Sequence, residues 1–372
     1  MGDDWSEYVT IAIMLPQNRI LAILSLIFFS VSVSVTQSAE KGNYVAEFLN
    51  HGVGARALGM GSVFVSIADD ATAAYWNPAG LTQVGKHAFS MMYSDTFGSG
   101  QGAFLRKGLV QYSFVNYIQR VVDIGVLGVS WIRLGIDQIP RTTFLDINSN
   151  GKLGDFQDKN GNGIKEEGEL YIDRPVVAEY FSNADNALLL SLARKISPVL
   201  SVGGNLKIIR QTVFQSSGNG LGLDLGLMYQ PVKNLHLGAL LLDATGTQIK
   251  WTKTESSPTF TRRSTLRFGI SYNLSLARFG QLRLGLDLQT GLQDTVGQGA
   301  DLAEKQRKWK PRYGSELWLF EILAVRFGQD GRNFSAGAGF RFRLGQATWL
   351  TDYAFTPHEL GPSQRISISG DF

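Results

Sequence analysis

From residue 86 to the C-terminus the chain alternates apolar and polar side chains with period two, in segments of about ten residues. In 266–274, Leu266, Phe268, Ile270, Tyr272 and Leu274 share one face, and Arg267, Gly269, Ser271 and Asn273 the other. In 281–289, Leu282, Leu284, Leu286 and Leu288 oppose Arg283, Gly285, Asp287 and Gln289. Leucines alternate with Gly222, Asp224, Gly226 and Met228 in 221–229, and the last segment sets Ile366, Ile368 and Phe372 against Arg365, Ser367, Ser369 and Asp371. This period belongs to strands with one apolar face, because a shift of one residue would turn every side chain to the wrong side.

A soluble sandwich also alternates, so two further features decide. The polar face mixes glycine with single arginines and aspartates in segment after segment, which suits a hydrated lumen. The connections also alternate in length. Strands near 86–95, 108–118, 122–135, 184–194, 198–214, 219–231, 235–250, 263–275, 280–292, 309–319, 321–330, 333–344, 346–356 and 363–372 make fourteen. Tight turns such as 195–198, 230–234 and 344–347 alternate with longer connections such as 136–183, 251–262, 293–308 and 357–362. Short turns on one rim and long loops on the other is the arrangement of a transmembrane antiparallel β-barrel. In hydrocarbon every backbone N–H and C=O must be paired within the protein, and among sheets only a closed one achieves that. An even strand count puts both ends of the barrel on one rim, expected to be periplasmic, with the long loops outside. Trp131, Trp251, Trp318, Trp349, Tyr353 and Phe355 are read as interface aromatics.

Ahead of the barrel, Arg19 precedes the apolar run Ile20–Phe29 and a small-residue exit at Thr36–Ala39. That pattern reads as a secretory signal peptide over 1–39, the run being too short for a spanning helix. Asp3, Asp4 and Glu7 are out of place in such a leader, which points to Met14 as the true start; an N-terminal anchor is the other reading. Residues 40–85 break the alternation and are expected to fold back into the lumen as a hatch, with a short helix over 66–76 that carries an aspartate N-cap and stops at Asn77-Pro78. The domain reading is therefore 1–39 leader, 40–85 hatch and 86–372 barrel, with 136–183 a long extracellular loop.

The composition excludes several classes. There are no cysteines, so no disulfide scaffold, thiolate site or lipid anchor. A net charge of +3 without a basic run gives no nucleic-acid footprint. His51, His87, His236 and His358 lack a metal-ligand spacing, and there is no nucleophile elbow or Walker loop, so no enzymatic activity is expected. Arg267, Arg283, Arg341, Arg343 and Arg365, with Asp224, Asp287, Asp352 and Asp371, are placed on the lumen face, either as ion pairs bracing barrel and hatch or as a site for an anionic lipid.

Within the hatch, Gly54, Ala55, Arg56, Gly59 and Gly61, then Asp69 and Asp70, then Asn77, Pro78, Ala79 and Gly80 form three motifs. Together they resemble the N-terminal signature of the PorV/PorQ family, itself similar to the FadL-type hydrophobic-compound transporters. The resemblance covers residues 52–81. It implies a fourteen-strand outer-membrane barrel with a lumenal hatch, and either of two roles. One is a protein-binding shuttle in type IX secretion, whose partners are secreted cargo and cell-surface attachment proteins. The other is passive uptake of fatty acids or other small hydrophobic ligands. Outer-membrane lipid and the barrel assembly machinery, which reads the terminal Phe372, are partners under both.

The long loop carries a second pattern. Asp158, Asn160 and Asn162 stand at positions 1, 3 and 5, Gly163 at 6, Ile164 at 7, Glu166 at 9 and Glu169 at 12 of an EF-hand-type loop. Upstream, Asp146, Asn148, Asn150 and Gly151 begin the same pattern, which then reaches Gln157 at position 12. A structural Ca2+ ion on 158–169 is expected; a plain cluster of Asn, Gly and Asp turns is the alternative.

Overall fold

The structure, a computed structural model, describes residues 45–96, 110–167, 169–252, 259–291, 309–331, 333–357 and 362–372. The leader and the first residues of the hatch segment lie outside them.

The strands are β1 (His87–Thr96), β2 (Val110–Val121), β3 (Gly125–Leu145), β4 (Arg174–Ser197), β5 (Leu200–Val213), β6 (Ser216–Val232), β7 (Leu235–Leu242) and β8 (Thr247–Thr252). They continue as β9 (Thr259–Arg262), β10 (Thr265–Ser275), β11 (Gly280–Gly291), β12 (Trp309–Leu319), β13 (Leu323–Asp330), β14 (Asn333–Leu344), β15 (Ala347–Thr356) and β16 (Ser363–Asp371). Neighbours pair antiparallel, and β16 closes on β1 from Ala88↔Asp371 to Asp95↔Gln364. Segments β7 and β8 lie end to end against β6, and β10 and β9 continue one another beyond them. The closed sheet therefore has fourteen staves, two of them interrupted.

The interruption lies at Asp243–Gly246. On β6, Leu225 pairs with Leu241 and Leu221 with Gln248, so the partner strand spends extra residues on the same length of wall. Asp243 takes a left-handed φ of 53° and Gly246 one of 70°, which bulges the strand. The Asp243 N–H donates to Asp224 Oδ1 at 2.9 Å and the Ala244 N–H to the Leu223 carbonyl at 2.7 Å, so the bulge keeps its amides paired.

Strands β3 and β4 run past the barrel. Their pairing continues through Ile139↔Phe181 to Leu145↔Arg174 with two register shifts, so much of the 136–183 connection is a two-stranded ribbon. The outward faces are apolar, with Val115, Val129, Trp131, Leu192, Ile208, Phe268, Ile270 and Phe327 exposed. Such a continuous band is lipid-facing in a barrel. Two aromatics depart from the interface reading: Trp318 is turned into the lumen and buried, and Trp251 packs against the interior core. Trp349 stays at the wall, edge-on to Phe372 with centroids 5.6 Å apart.

Candidate functional site

Residues 45–84 fill the lumen as four short helical turns, Glu47–His51, Ala55–Gly59, Ala73–Trp76 and Pro78–Gln83. The helix expected over 66–76 is only its last turn. Its N-cap is Thr72, without a side-chain cap bond, and not an aspartate; Asp70 stands two residues further upstream, its Oδ1 accepting from the Thr72 N–H at 2.9 Å. Asn77 ends that turn in an extended conformation and starts the next, its side chain accepting from the Ala79 N–H at 3.2 Å while Pro78 holds the first position. Its amide also donates to the Val65 carbonyl at 2.8 Å and the Leu227 carbonyl at 3.1 Å, linking two hatch segments to β6.

Glycine on the lumen face has a different purpose from the hydrated lining read in the sequence. The hatch backbone lies directly on the wall. A Cβ on Gly314 would sit 2.4 Å from the Met60 carbonyl oxygen, and one on Gly328 2.0 Å from the Met60 carbonyl carbon. Gly285, Gly314 and Gly328 are in register on β11, β12 and β13, and Gly238 pairs with Gly269 on β7 and β10 beneath Val65 and Ser66. On the hatch side, Gly59 meets Gly337, and Gly61 combines a φ of 67° with a would-be Cβ 2.4 Å from the Gln329 nitrogen. Gly54 is confined by Thr72 and Gly80 by Ala68.

The hatch has two unlike sides. Towards β2–β5 and β8 it packs apolar residues, among them Phe48, Leu49, Val53 and Leu58, into one core with Phe114, Ile132, Leu134, Ile209 and Ile249. Towards β11–β15 it presents charge. Arg56 donates from Nε and Nη2 to the two Glu316 oxygens at 2.8 and 2.9 Å, a bidentate fork, and pairs through Nη1 with Asp69 at 2.7 Å and Asp70 at 2.9 Å. Arg283 reaches Asp69 at 2.8 Å, and Arg326 reaches Glu316 at 2.8 Å. Arg326 Nη1 and Asp352 Oδ1 stand 2.7 Å apart without an aligned hydrogen bond. Glu316 and Arg326 are fully buried, so this network braces the hatch; of the lumen charges read in the sequence, Arg283 and Asp352 belong to it. Asp287 adds a second tie, accepting from the Phe64 and Val65 N–H groups at 2.9 and 3.1 Å.

A separate cluster sits at the bulge, where Lys207 pairs with Asp224 at 2.7 Å and also with Asp243. Arg262 joins Asp243 at 2.8 Å to the hatch, donating to the Ala46 carbonyl at 2.7 Å and to Asn50 at 2.6 Å. The alternation placed Asp224 on the lumen face but pointed to none of its partners; only the Asp-Ala-Thr-Gly run at 243–246 marked a turn inside a strand. Below the Arg56 network a cavity of about 1010 Å3 opens at the short-turn rim.

The two loop patterns fold alike. Asp158 accepts from the N–H groups of Gly161 at 2.6 Å and Gly163 at 2.8 Å, and Asn162 Oδ1 accepts from the Ile164 N–H at 2.7 Å. The Asn160 and Asn162 amides donate to Glu166 at 3.0 and 2.9 Å, while buried Glu169 accepts from the Lys159 and Glu166 N–H groups at 2.8 and 2.9 Å. Upstream, Asp146 accepts from the Gly151 N–H at 2.8 Å, and Asp173, not Gln157, takes the closing place by accepting from the Ile147 and Gly154 N–H groups at 3.1 and 2.8 Å. Among the described residues no three acidic or histidine side chains converge as a metal group. The loop oxygens rest on the loop's own amides, although the set is the hard-oxygen set that calcium takes.

No family model and no curated protein matches the chain. Solved structures do. The Pseudomonas aeruginosa FadL homologue is 12% identical over 86% of this chain and 98% of its own, with a TM-score of 0.48. The Ralstonia pickettii toluene transporter TbuX is 13% identical over 86% and 97%, with a TM-score of 0.49. The Pseudomonas putida toluene transporter TodX is 12% identical over 86% and 99%, with a TM-score of 0.48.

Proposed function

We propose that the chain is an outer-membrane barrel that passes small hydrophobic compounds across the membrane past its hatch, the FadL-like role. The apolar lumen sector carries this reading. A barrel of this kind ordinarily has a polar interior. Here Phe114, Ile132, Leu134, Ile209 and Ile249 face inward along β2, β3, β5 and β8 and pack against the hatch as one buried apolar sector. The charged brace holds the hatch from the opposite side, and displacement of the hatch from the apolar sector would open the way for an apolar compound. Uptake of radiolabelled oleate or toluene by cells of a transport-deficient Gram-negative host tests it. Expression should raise uptake of the apolar probes and leave that of a sugar unchanged. Uptake no greater than in cells without the protein would end the reading, and secreted proteins that co-purify from the native membrane would favour the shuttle role instead.

We also propose that 158–169 takes up Ca2+, with Asp158, Asn160, Asn162 and the Ile164 carbonyl as ligands. Glu166 and Glu169 complete the set by turning from the amides they now hold. Calorimetry on the purified barrel should show an uptake that Asp158→Ala removes; equal uptake by the variant would rule the loop out.

A further inference from the structure

We propose that the cavity at the short-turn rim is a docking site for an acidic peptide segment of a soluble partner protein. Its floor is the Arg56 network, whose charges already satisfy one another. Its walls are different. Lys233 on the β6–β7 turn, Arg278 on the β10–β11 turn, and Arg341 and Arg343 at the end of β14 all line it, and among the described residues none of the four is ion-paired. Arg341 lies over the buried Trp318 ring, 3.9 Å from its centroid, which fixes the plane of its guanidinium while leaving its N–H donors to the cavity. Four carboxylates share the lining: Asp69 and Asp70, paired with Arg56 in the floor, Glu321, and Asp371, which lies against the backbone of Gly85. The cavity is therefore lined by six cations (Arg56, Lys233, Arg278, Arg283, Arg341 and Arg343) against four carboxylates, and the excess lies at the mouth.

Three features select the occupant. The lining is polar and charged, which disfavours the apolar compounds proposed for the lumen above. The cations are spread over three separate turns, so a single carboxylate cannot reach them together, whereas an extended chain with several carboxylates can. The volume is at the upper end of what a drug-sized ligand needs, about 300–1,000 Å3, and it is open, as an entering peptide requires. Charge complementarity of this kind sets partner choice and on-rate. This proposal stands apart from the hydrophobic-uptake reading, since it concerns another rim and another chemistry.

The test uses the full chain in lipid nanodiscs and a fluorescent oligo-glutamate peptide read by anisotropy. Binding should saturate and weaken steeply as salt rises, because the contacts are partly exposed. It should fall at least about tenfold when Lys233, Arg341 and Arg343 are all changed to Gln. A triple change of the same residues to Glu should bind oligo-lysine instead, a gain that a misfolded barrel cannot produce. Salt-insensitive binding, unchanged affinity in the Gln variant, or equal competition by free glutamate would overturn the proposal, the last because it marks a single-anion subsite.

Discussion

Arg56 is surrounded by Glu316, Asp69 and Asp70 and is itself buried, at the floor of the rim cavity. A buried ion pair contributes modestly to net stability, but losing one partner leaves the others uncompensated, at a cost of about 3–5 kcal/mol. Arg56→Met is therefore expected to loosen the hatch while the wall remains, seen as faster cleavage of 45–84 by protease at unchanged strand content by circular dichroism. Gly328 makes the complementary point. Its hydrogen is all that separates β13 from the Met60 peptide, so Gly328→Val should displace the hatch and lower the thermal midpoint sharply. Gly345, in a tight turn with φ of 64° and open space around it, should lose only the about 1–2 kcal/mol of a left-handed backbone when changed to Ala.

At the scale of elements, the loop 158–169 couples a carboxylate to backbone amides. The Gly163 N–H above all, with those of Gly161 and Asn162, holds the Asp158 carboxyl below the usual carboxylate range. A depressed native value means that order is present above the unfolded value, about 3.9, and is lost as pH falls through the lowered one. Protection of Gly161–Ile164 from hydrogen exchange, taken relative to the intrinsic rate at each pH, should accordingly persist at neutrality and be lost as pH falls through the lowered value. Asp158→Asn should remove that acid step. Most staves were legible in the sequence, because a wall with lipid on one side and protein on the other enforces alternation; 309–319 and 333–344 match to the residue. What alternation could not show was the bulge at Asp243, where both flanks keep period two and only the backbone changes sign of φ. The β3–β4 ribbon was read as loop because, outside the membrane, neither of its faces needs an apolar partner. The hatch motifs were visible as glycines and aspartates, but the partner of Arg56 on the wall was not. Glu316 and Arg326 sit in ordinary polar positions of β12 and β13, and only the closed sheet brings them to the hatch.

The molecule as a whole is defined by where its sheet closes. The seam joins the first strand to the last, and Phe372 and His87 exchange backbone hydrogen bonds of 2.8 and 3.3 Å at its foot. Truncation before β16 would leave β1 and β15 as bare edges in lipid, where each unpaired group costs several kcal/mol. No heat-modifiable folded band should then appear on a gel, whereas Phe372→Ala, which removes one ring contact with Trp349, should retain it. The glycines on the inner wall carry a consequence for the whole molecule. They fit peptide groups of 59–66, so nothing but that segment fills the hollow they leave. A wall without that segment would keep an unfilled hollow at that height, because the glycines there have no side chains to occupy it. Wall and hatch are thus complementary halves of one fit, and the residues at the start of the described chain are the filling that those near its end are shaped to hold.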